Sequence, residues 1–509
     1  MNAPNRRSIV KAGAALLAGM LAPAIARAQG VGRSVLIRRP DRMPAAPPPK
    51  IQRPPGIDPA AAWASPELRL ARKVSFGLTA PEAARAKAMG YSQYLEYQLA
   101  PELIDDSAVD SFVSTNFPSL GYDLATLFAA DANLVQNQLT WATIHRSAFS
   151  TRQLYERLVE FWSDHFNISM EKVGYLKVVD DNNVIRQYAM TTFPQLLKAS
   201  AHSPAMLLYL DQTMSNKTAP NQNYAREIME LHTLGVDGGY TQTDVAELSR
   251  VLTGWTIAGK GTFSFNSNLH DYGSKSVLGI SIPAASPATG AAAQAEGEGM
   301  LDVLAAHPST ATFISTKMLQ YFLRYDPSAA QIAAVAQVYA GTGGDIKSML
   351  RTVLSIDSVT AAPAKFRRPY HLVMAALRAL NPAVTAAGVT SISGQVTTVG
   401  QQPFTWLTPD GFPDTVEYWS GNMLTRWNYA TFVSNANNVN TVQVNVAPFM
   451  NPATPAAIVA AINAALFAGE MPSRLATELT NYVSANPASA ALVRETIGLA
   501  LSSSAYQYY

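Results

Sequence analysis

Between Pro204 and Thr256 the chain crowds Asp, Asn, Arg, Glu and His into two expected helices and the loop that joins them. Asn223 to Leu234 contains neither Pro nor Gly, which predicts a helix, and Gly235 is suited to end it because its backbone tolerates left-handed geometry. At about 100° per residue, Asn223, Arg226, Glu227 and Glu230 share an arc of roughly 100° beside an apolar stripe of Tyr224, Ile228 and Leu231. Carboxyls paired in a cleft can separate their proton affinities, so that one serves as an acid and the other as a base or nucleophile. Arg226 could clamp an anionic substrate group or hold one carboxylate ionised. The same spacing also suits a solvated face on which Arg226 and Glu230 form a weak i,i+4 pair.

A second candidate region is Phe161-Trp162-Ser163-Asp164-His165-Phe166. His165, flanked by aromatics, is the expected base. Asp164 points elsewhere if the backbone is helical, since adjacent residues diverge by about 100°. On an α-helix His232 lies about 140° from Glu227 and about 160° from Glu230, so it cannot converge with them unaided and suits a helix end. Asp211 follows the apolar run Met206 to Leu210, and the loop Asn216 to Asn223 would return the chain beside it. His270-Asp271 sits in an aromatic loop that could close over a site. The expected catalytic set is Glu227, Glu230, His165 and Asp211, with Asn223, Arg226, His232, His270 and Trp162 as substrate contacts. A metal is not expected: Glu227, Glu230, Asp211 and His165 are the one grouping with oxygen and imidazole ligands, and no established ligand spacing is present. The sequence leaves any cofactor unknown.

The elements that must position these groups are mostly helical. The sequence predicts helices at Pro66 to Val74, Ala80 to Met89 and Tyr91 to Leu99, then Leu124 to Phe149, Thr151 to His165 and Asn183 to Lys198, the last broken near Pro194. Asp244 caps or begins a helix ending near Leu252. Gly259 to Gly279 could hold a short hairpin, Ile280 to Gly299 reads as a mobile loop, and Ala387 to Phe404 has the β-branched content of extended structure. Helices resume at Leu301 to His307, Thr310 to Arg324, Ala329 to Tyr339, Ile346 to Ser355 and Tyr370 to Leu380, and again from Pro455. The fold class expected is mainly α, a multi-helix globular array with long loops and at most short β segments. Its divisions are a signal at 1–28, a Pro-rich arm at 29–64, a main helical domain at 65–440 carrying the site, and a C-terminal helical region at 441–509 packed on it.

Composition removes several functions. The chain of 509 residues has 38 basic and 36 acidic side chains, a net charge of +2, and so no electrostatic footprint for nucleic acid. It has no cysteine, which excludes disulfides, thiolate nucleophiles and Cys-based metal sites. There is no phosphate-cradling glycine loop, no H-E-x-x-H and no convincing G-x-S-x-G. At the N-terminus, Arg6-Arg7 precedes an Ala-rich apolar run, and Ala26-Arg27-Ala28 offers a cleavage site, the pattern of a twin-arginine export signal. The run is too short for a permanent anchor, so the mature chain is expected to be periplasmic or secreted.

The run N-Q-N-Y-A-R-E-I-M-E-L-H-T-L-G-V from Asn221, with G-G-Y-T-x-x-D-V and L-T-G-W-T after it, resembles the signature of the bacterial domain of unknown function 1800 family. R-L-A-R-K-V-S-F-G-L-T from Arg69, F-W-S-D-H-F-N-I-S from Phe161, Y-L-D ending at Asp211, G-Q-Q-P-F from Gly400 and W-S-G-N-M-L-T-R-W-N from Trp419 agree in order. Gln222 departs from the pattern, standing where the family usually carries Glu. The resemblance supplies candidate residues rather than a reaction, and implies frequent pairing with a second exported family, domain of unknown function 1501. The function expected is an exported hydrolase with a carboxylate/histidine acid-base site acting on an envelope or environmental polymer, a polysaccharide among the candidates. The alternatives are a non-catalytic binding or assembly partner of that second family and, third, a soluble redox enzyme.

Overall fold

Ser65 accepts a hydrogen bond from the amide of Leu68, with Pro66 in the first turn, and so opens the helix Pro66–Val74. Thr79 does the same for Ala80–Met89 through Glu82. Gly90, at φ 76°, separates that helix from Tyr91–Leu99. These three helices have the expected bounds. The computed structural model describes residues 59–285, 290–451 and 453–509, within a unit running from Ile57 to Tyr509. The expected export signal, and the Pro-rich arm before Pro59, lie outside the described residues.

The protein is mainly α. Among the described residues the strands form three antiparallel pairs: Trp255–Ala258 with Thr262–Phe265, Lys275–Val277 with Ile280–Ile282, and Ala383–Val384 with Val442–Gln443. A short hairpin was expected between Gly259 and Gly279, and the first pair turns there.

Two large apolar bodies organise the helices. The first runs from Leu68 to Ala362 and includes Leu154, Leu158, Phe161 and Trp162 of the helix Gln153–His165. The second gathers Phe76, one face of Ala132–Phe149, and the helices Pro369–Leu380, Ala386–Thr398, Met423–Asn435, Pro455–Phe467, Ser473–Ser484 and Ala490–Ser502. Fully burying one Leu or Phe contributes about 1.5–3 kcal/mol, so these bodies dominate what holds the helices in place. The last residues pair with the segment before Pro369: Lys365 and Tyr509 exchange backbone bonds of 2.8 and 2.9 Å, and the Arg367 amide donates to Gln507 at 2.7 Å.

Several segments differ from expectation. Ala386–Thr398 is a helix rather than extended, because Val389, Ile392 and Val396 recur at helical spacing and are buried together. In place of a loop over Ile280 to Gly299 stand the strand Ile280–Ile282 and the helix Gly290–Ala306. The stretch Leu124 to Phe149 is two helices, since Asp131 caps a new one through the Leu134 amide. Pro194 lies in the first turn of Phe193–Ala201, so it starts that helix instead of breaking one. Before it, Asp181–Arg186 is a wider π-helical turn.

Candidate functional site

On the helix Gln153–His165, Glu156, Glu160 and Asp164 recur every four residues, and Ser163 and then Asn167 beyond the helix end fall beside them. This polar stripe lies opposite the start of Pro369–Leu380, which supplies Arg368 as its N-cap residue and His371 in its first turn. The two helices are held rigidly by the apolar bodies on either side, and the charged groups meet between them.

Glu160 is the anchor. It accepts from Arg368 Nη2, from Tyr321 Oη, and from His371 Nε2 at 2.8 and 2.9 Å. Arg157 Nη1 stands 3.0 Å from the other ring nitrogen, Nδ1 of His371. A guanidinium can only donate, so Nδ1 accepts and Nε2 carries the proton given to Glu160. His371 is therefore neutral in this arrangement, and burial pushes its pKa down to about 3 against the pull of Glu160. Burial alone would raise Glu160, but Arg368, His371 and Arg157 outweigh it and hold the carboxyl well below the usual range. Arg157 is itself seated by aromatic faces, 4.5 Å from the Tyr321 ring centre and 5.3 Å from that of Tyr509.

Asp164, one turn further on, receives the other arm of the same guanidinium, Arg368 Nη1 at 2.7 Å. Its pKa moves the opposite way. Burial raises it to about 6, Arg368 pulls it down, and the negative charge of Glu160 pushes it up again. Two carboxyls on one arginine are thus driven apart in proton affinity, an arrangement suited to acid–base work.

Asp164 also stands between two cavities. One, of about 40 Å³, is lined by Glu160, Ser163, Asn167, Tyr370 and Phe404, and the buried Ser163 hydroxyl has no hydrogen-bond partner there. The other, of about 70 Å³, brings Asp164 together with His165, Lys317, Asp410 and Arg368. Each exceeds the roughly 10–15 Å³ that one water needs. Lys317 is pushed below the ordinary lysine value by burial, against the charges of Asp164 and Asp410. Phe412 borders both cavities and stands 5.1 Å from Trp406 in the loop that covers them. The loop passes so close to the helix end that a Cβ on Gly411, whose φ is 73°, would lie 2.1 Å from the Asp164 carbonyl oxygen. Only glycine fits that crossing.

The residues singled out in the sequence fall in several places. His165 borders the larger cavity, and its Nε2 lies 3.1 Å from the backbone carbonyl of His232, with the rings 6.3 Å apart. Burial drives both histidines down, His232 to about 3. Trp162 is wholly buried and donates to the Ala189 carbonyl at 3.0 Å, so its indole is core. Asp211, at φ 58°, pairs with Lys172 at 2.7 Å in a solvent-exposed position. Its loop does return beside it, through Asn221 donating to the Leu210 carbonyl at 2.7 Å. His270 is fully buried, Nδ1 lying 2.7 Å from the Thr253 carbonyl, so it does not serve as a surface flap.

The expected helix Asn223 to Leu234 is α only over Gln222–Glu227 and becomes a π-helical turn over Ile228–Thr233. An i to i+5 ladder sets residues five apart one turn apart, so the divergence of Glu227 and His232 derived for an α-helix does not apply. Asn223 is exposed, Glu227 is buried, and Arg226 and Glu230 are half-buried. Burial raises Tyr240 to about 12, and the charges of Glu230, Arg226 and Glu227 all reach it. The 3.1 Å approach of His165 Nε2 to the His232 carbonyl sets the π-helical turn next to the residue that follows Asp164.

Glu160, Lys317, Arg368 and His371 were not picked out from the sequence. The four-residue stripe Glu156, Glu160, Asp164 was visible as a signal. Nothing local marks Lys317, whose importance comes from a helix more than a hundred residues away.

The model of the family described as a protein of unknown function (DUF1800) matches residues 69–508, and the chain belongs to that family. No curated protein and no solved structure is significantly similar to it.

Proposed function

We propose that this family member is an exported hydrolase whose acid–base centre is Asp164, acting on a polymer of the envelope or surroundings. The observation that carries the reading is the shared arginine: Arg368 binds Glu160 and Asp164 at once, while of these two carboxyls Asp164 alone faces both cavities. Glu160, saturated by donors, serves as a fixed negative charge. Asp164 is the group free to exchange a proton near neutral pH.

In this reading ionised Asp164 takes a proton from water in the larger cavity as the water oxygen bonds to the electrophilic carbon of the substrate. Lys317, on the same cavity, gives a proton to the leaving oxygen as its bond to that carbon breaks. Solvent then returns a proton to Lys317 and removes one from Asp164. His165 stays neutral and shapes the cavity wall, a change from the base role expected of it. Export is supported by Arg6-Arg7 and the Ala26-Arg27-Ala28 site, and none of the described helices is long and apolar enough to cross a membrane.

A panel of 4-methylumbelliferyl glycosides and esters tests the proposal. The protein should release fluorophore from at least one, and Asp164→Asn should lower that rate by roughly 10²–10⁴-fold. An unchanged rate in Asp164→Asn would falsify the assignment. A second reading, docking to an exported partner of the domain of unknown function 1501 family, is favoured by Leu407, Tyr418, Leu424 and Trp427, large apolar side chains that remain exposed. Co-purification of the two families that Leu424→Lys abolishes is its test.

A further inference from the structure

A roomier cleft lies elsewhere, with a volume of about 520 Å³, within the size usual for small-molecule sites. It opens between the turn Pro118–Gly121, the π-helical turn Asp181–Arg186, the end of Phe193–Ala201 and the hairpin tip at Gly261. The cluster of Leu127, Val135, Leu139, Met170, Val178 and Phe404 has members on both sides: Leu127 borders this cleft and Phe404 the smaller cavity beside Asp164.

Its lining has a consistent chemistry. Tyr122 and Phe263 offer aromatic faces, and Asn182 and Asn183 offer neutral amides, while His202 completes the wall and the buried Ser203 gives its hydroxyl proton to Asp180 at 2.7 Å. Asn182 spends one amide proton on the Leu120 carbonyl at 2.8 Å, keeping its oxygen for other donors. Asn183 is exposed, and its side chain makes no hydrogen bond among the described residues. Consecutive residues on an α-helix diverge by about 100°, but both of these amides border the cleft, which the wider π turn permits. His202 packs against Phe263 at 4.3 Å with its Nε2 buried 3.6 Å from Glu298, so the ring serves the cleft as a wall. Among the described residues no lysine or arginine lines the cleft, and the carboxylate of Asp123 is occupied in capping a helix through the Thr126 amide at 2.8 Å.

We propose that this cleft binds a neutral glycan segment, the aromatic faces packing on the apolar faces of sugar rings and the paired asparagine amides meeting adjacent hydroxyls. An amide both donates and accepts, as a hydroxyl does, so two neighbouring amides match a vicinal diol. The absence of lining cations disfavours phosphate-bearing or acidic ligands. The inference deepens the proposed hydrolase by naming the polymer's chemistry, and it rests on that reading for the link between binding and cleavage. The cleft would hold the chain at a distance from Asp164 while another stretch of the same polymer reaches the acid–base site.

The test uses the full chain titrated with cellotriose, triacetylchitotriose and maltotriose, followed by calorimetry or saturation-transfer NMR, with adenosine as a stacking control. At least one trisaccharide should bind. Asn183→Ala and Tyr122→Ala should each weaken it by about tenfold, the loss expected for one hydrogen bond or stacked face, with unchanged melting temperatures. Asp164→Asn should bind as the parent does. Binding of no trisaccharide, binding of adenosine alone, or trisaccharide binding indifferent to both cleft variants overturns the proposal. Loss of hydrolysis in Asp164→Asn is read separately, so the cleft can fail while the acid–base site stands, and the reverse.

Discussion

Arg368 reaches Asp164 with Nη1 at 2.7 Å while its second terminal nitrogen holds Glu160. One buried guanidinium thus fixes two carboxyls one helical turn apart, and the chemistry of each depends on it.

Removing that cation should cost stability as well as function. Arg368→Met removes the one cation that bridges the two carboxyls, leaving Glu160 to His371, Tyr321 and Arg157 and Asp164 to Lys317, and breaking a buried pair in this way destabilises by about 3–5 kcal/mol. Arg368→Lys keeps the charge but cannot bridge both partners, so it should fall between parent and Met variant. Urea unfolding measures this order. A Met variant as stable as the parent would contradict the network described.

How far the sequence disclosed this site can be judged from particular residues. Helix starts such as Ser65 and Thr79 were legible because capping is local, whereas the helix expected to start at Asp244 begins at Gln242, with Thr241 as its cap and Asp244 as the capping-box partner. Ala386–Thr398 was not, because its β-branched residues favour strands until tertiary packing buries Val389, Ile392 and Val396 on one face. The segment around His165 drew attention in the sequence, but the partner of Asp164 is Arg368, 204 positions away. A contact of that sequence separation leaves no periodic trace. The π-helical turn at Ile228–Thr233 was equally hidden, since its residues read as an ordinary α stretch.

The loop over the cavities should depend on Gly411. Gly411→Ala must adopt φ near 73° and put its Cβ 2.1 Å from a backbone oxygen, so the loop should shift and stability fall by about 1–3 kcal/mol. Gly400→Ala has a similar φ of 87° but meets nothing within 4 Å, and should cost less. Thermal melts of the two variants compare them; equal losses would show that the crossing is not tight.

Acid should destabilise the fold before most carboxylates protonate. His232 and His371 fall from an ordinary 6.5 to about 3, and His145 to about 4, each mainly through burial. Below 6.5 the unfolded chain binds protons that the folded chain refuses, so their contribution is present above 6.5 and lost as pH falls toward the folded values, at about 1.4 kcal/mol per unit for each group. Asp164 runs the other way: its folded value of about 6 exceeds the ordinary 3.8, so its contribution declines as pH rises through that window. Three histidines outweigh one aspartate, and unfolding free energy should drop between pH 6.5 and 4.5. Denaturant curves across that range check the slope, which His232→Gln should reduce; a flat profile would oppose the burial assigned to these rings.

The most direct measurement is the titration of Asp164 itself. With aspartate labelled at the carboxyl carbon and the resonance assigned by its loss in Asp164→Asn, carbon NMR should show a midpoint near 6, moving down in Glu160→Gln as the neighbouring negative charge is removed. A midpoint near the ordinary value of 3.8, unmoved by Glu160→Gln, would contradict the claim that this pair is built for proton transfer.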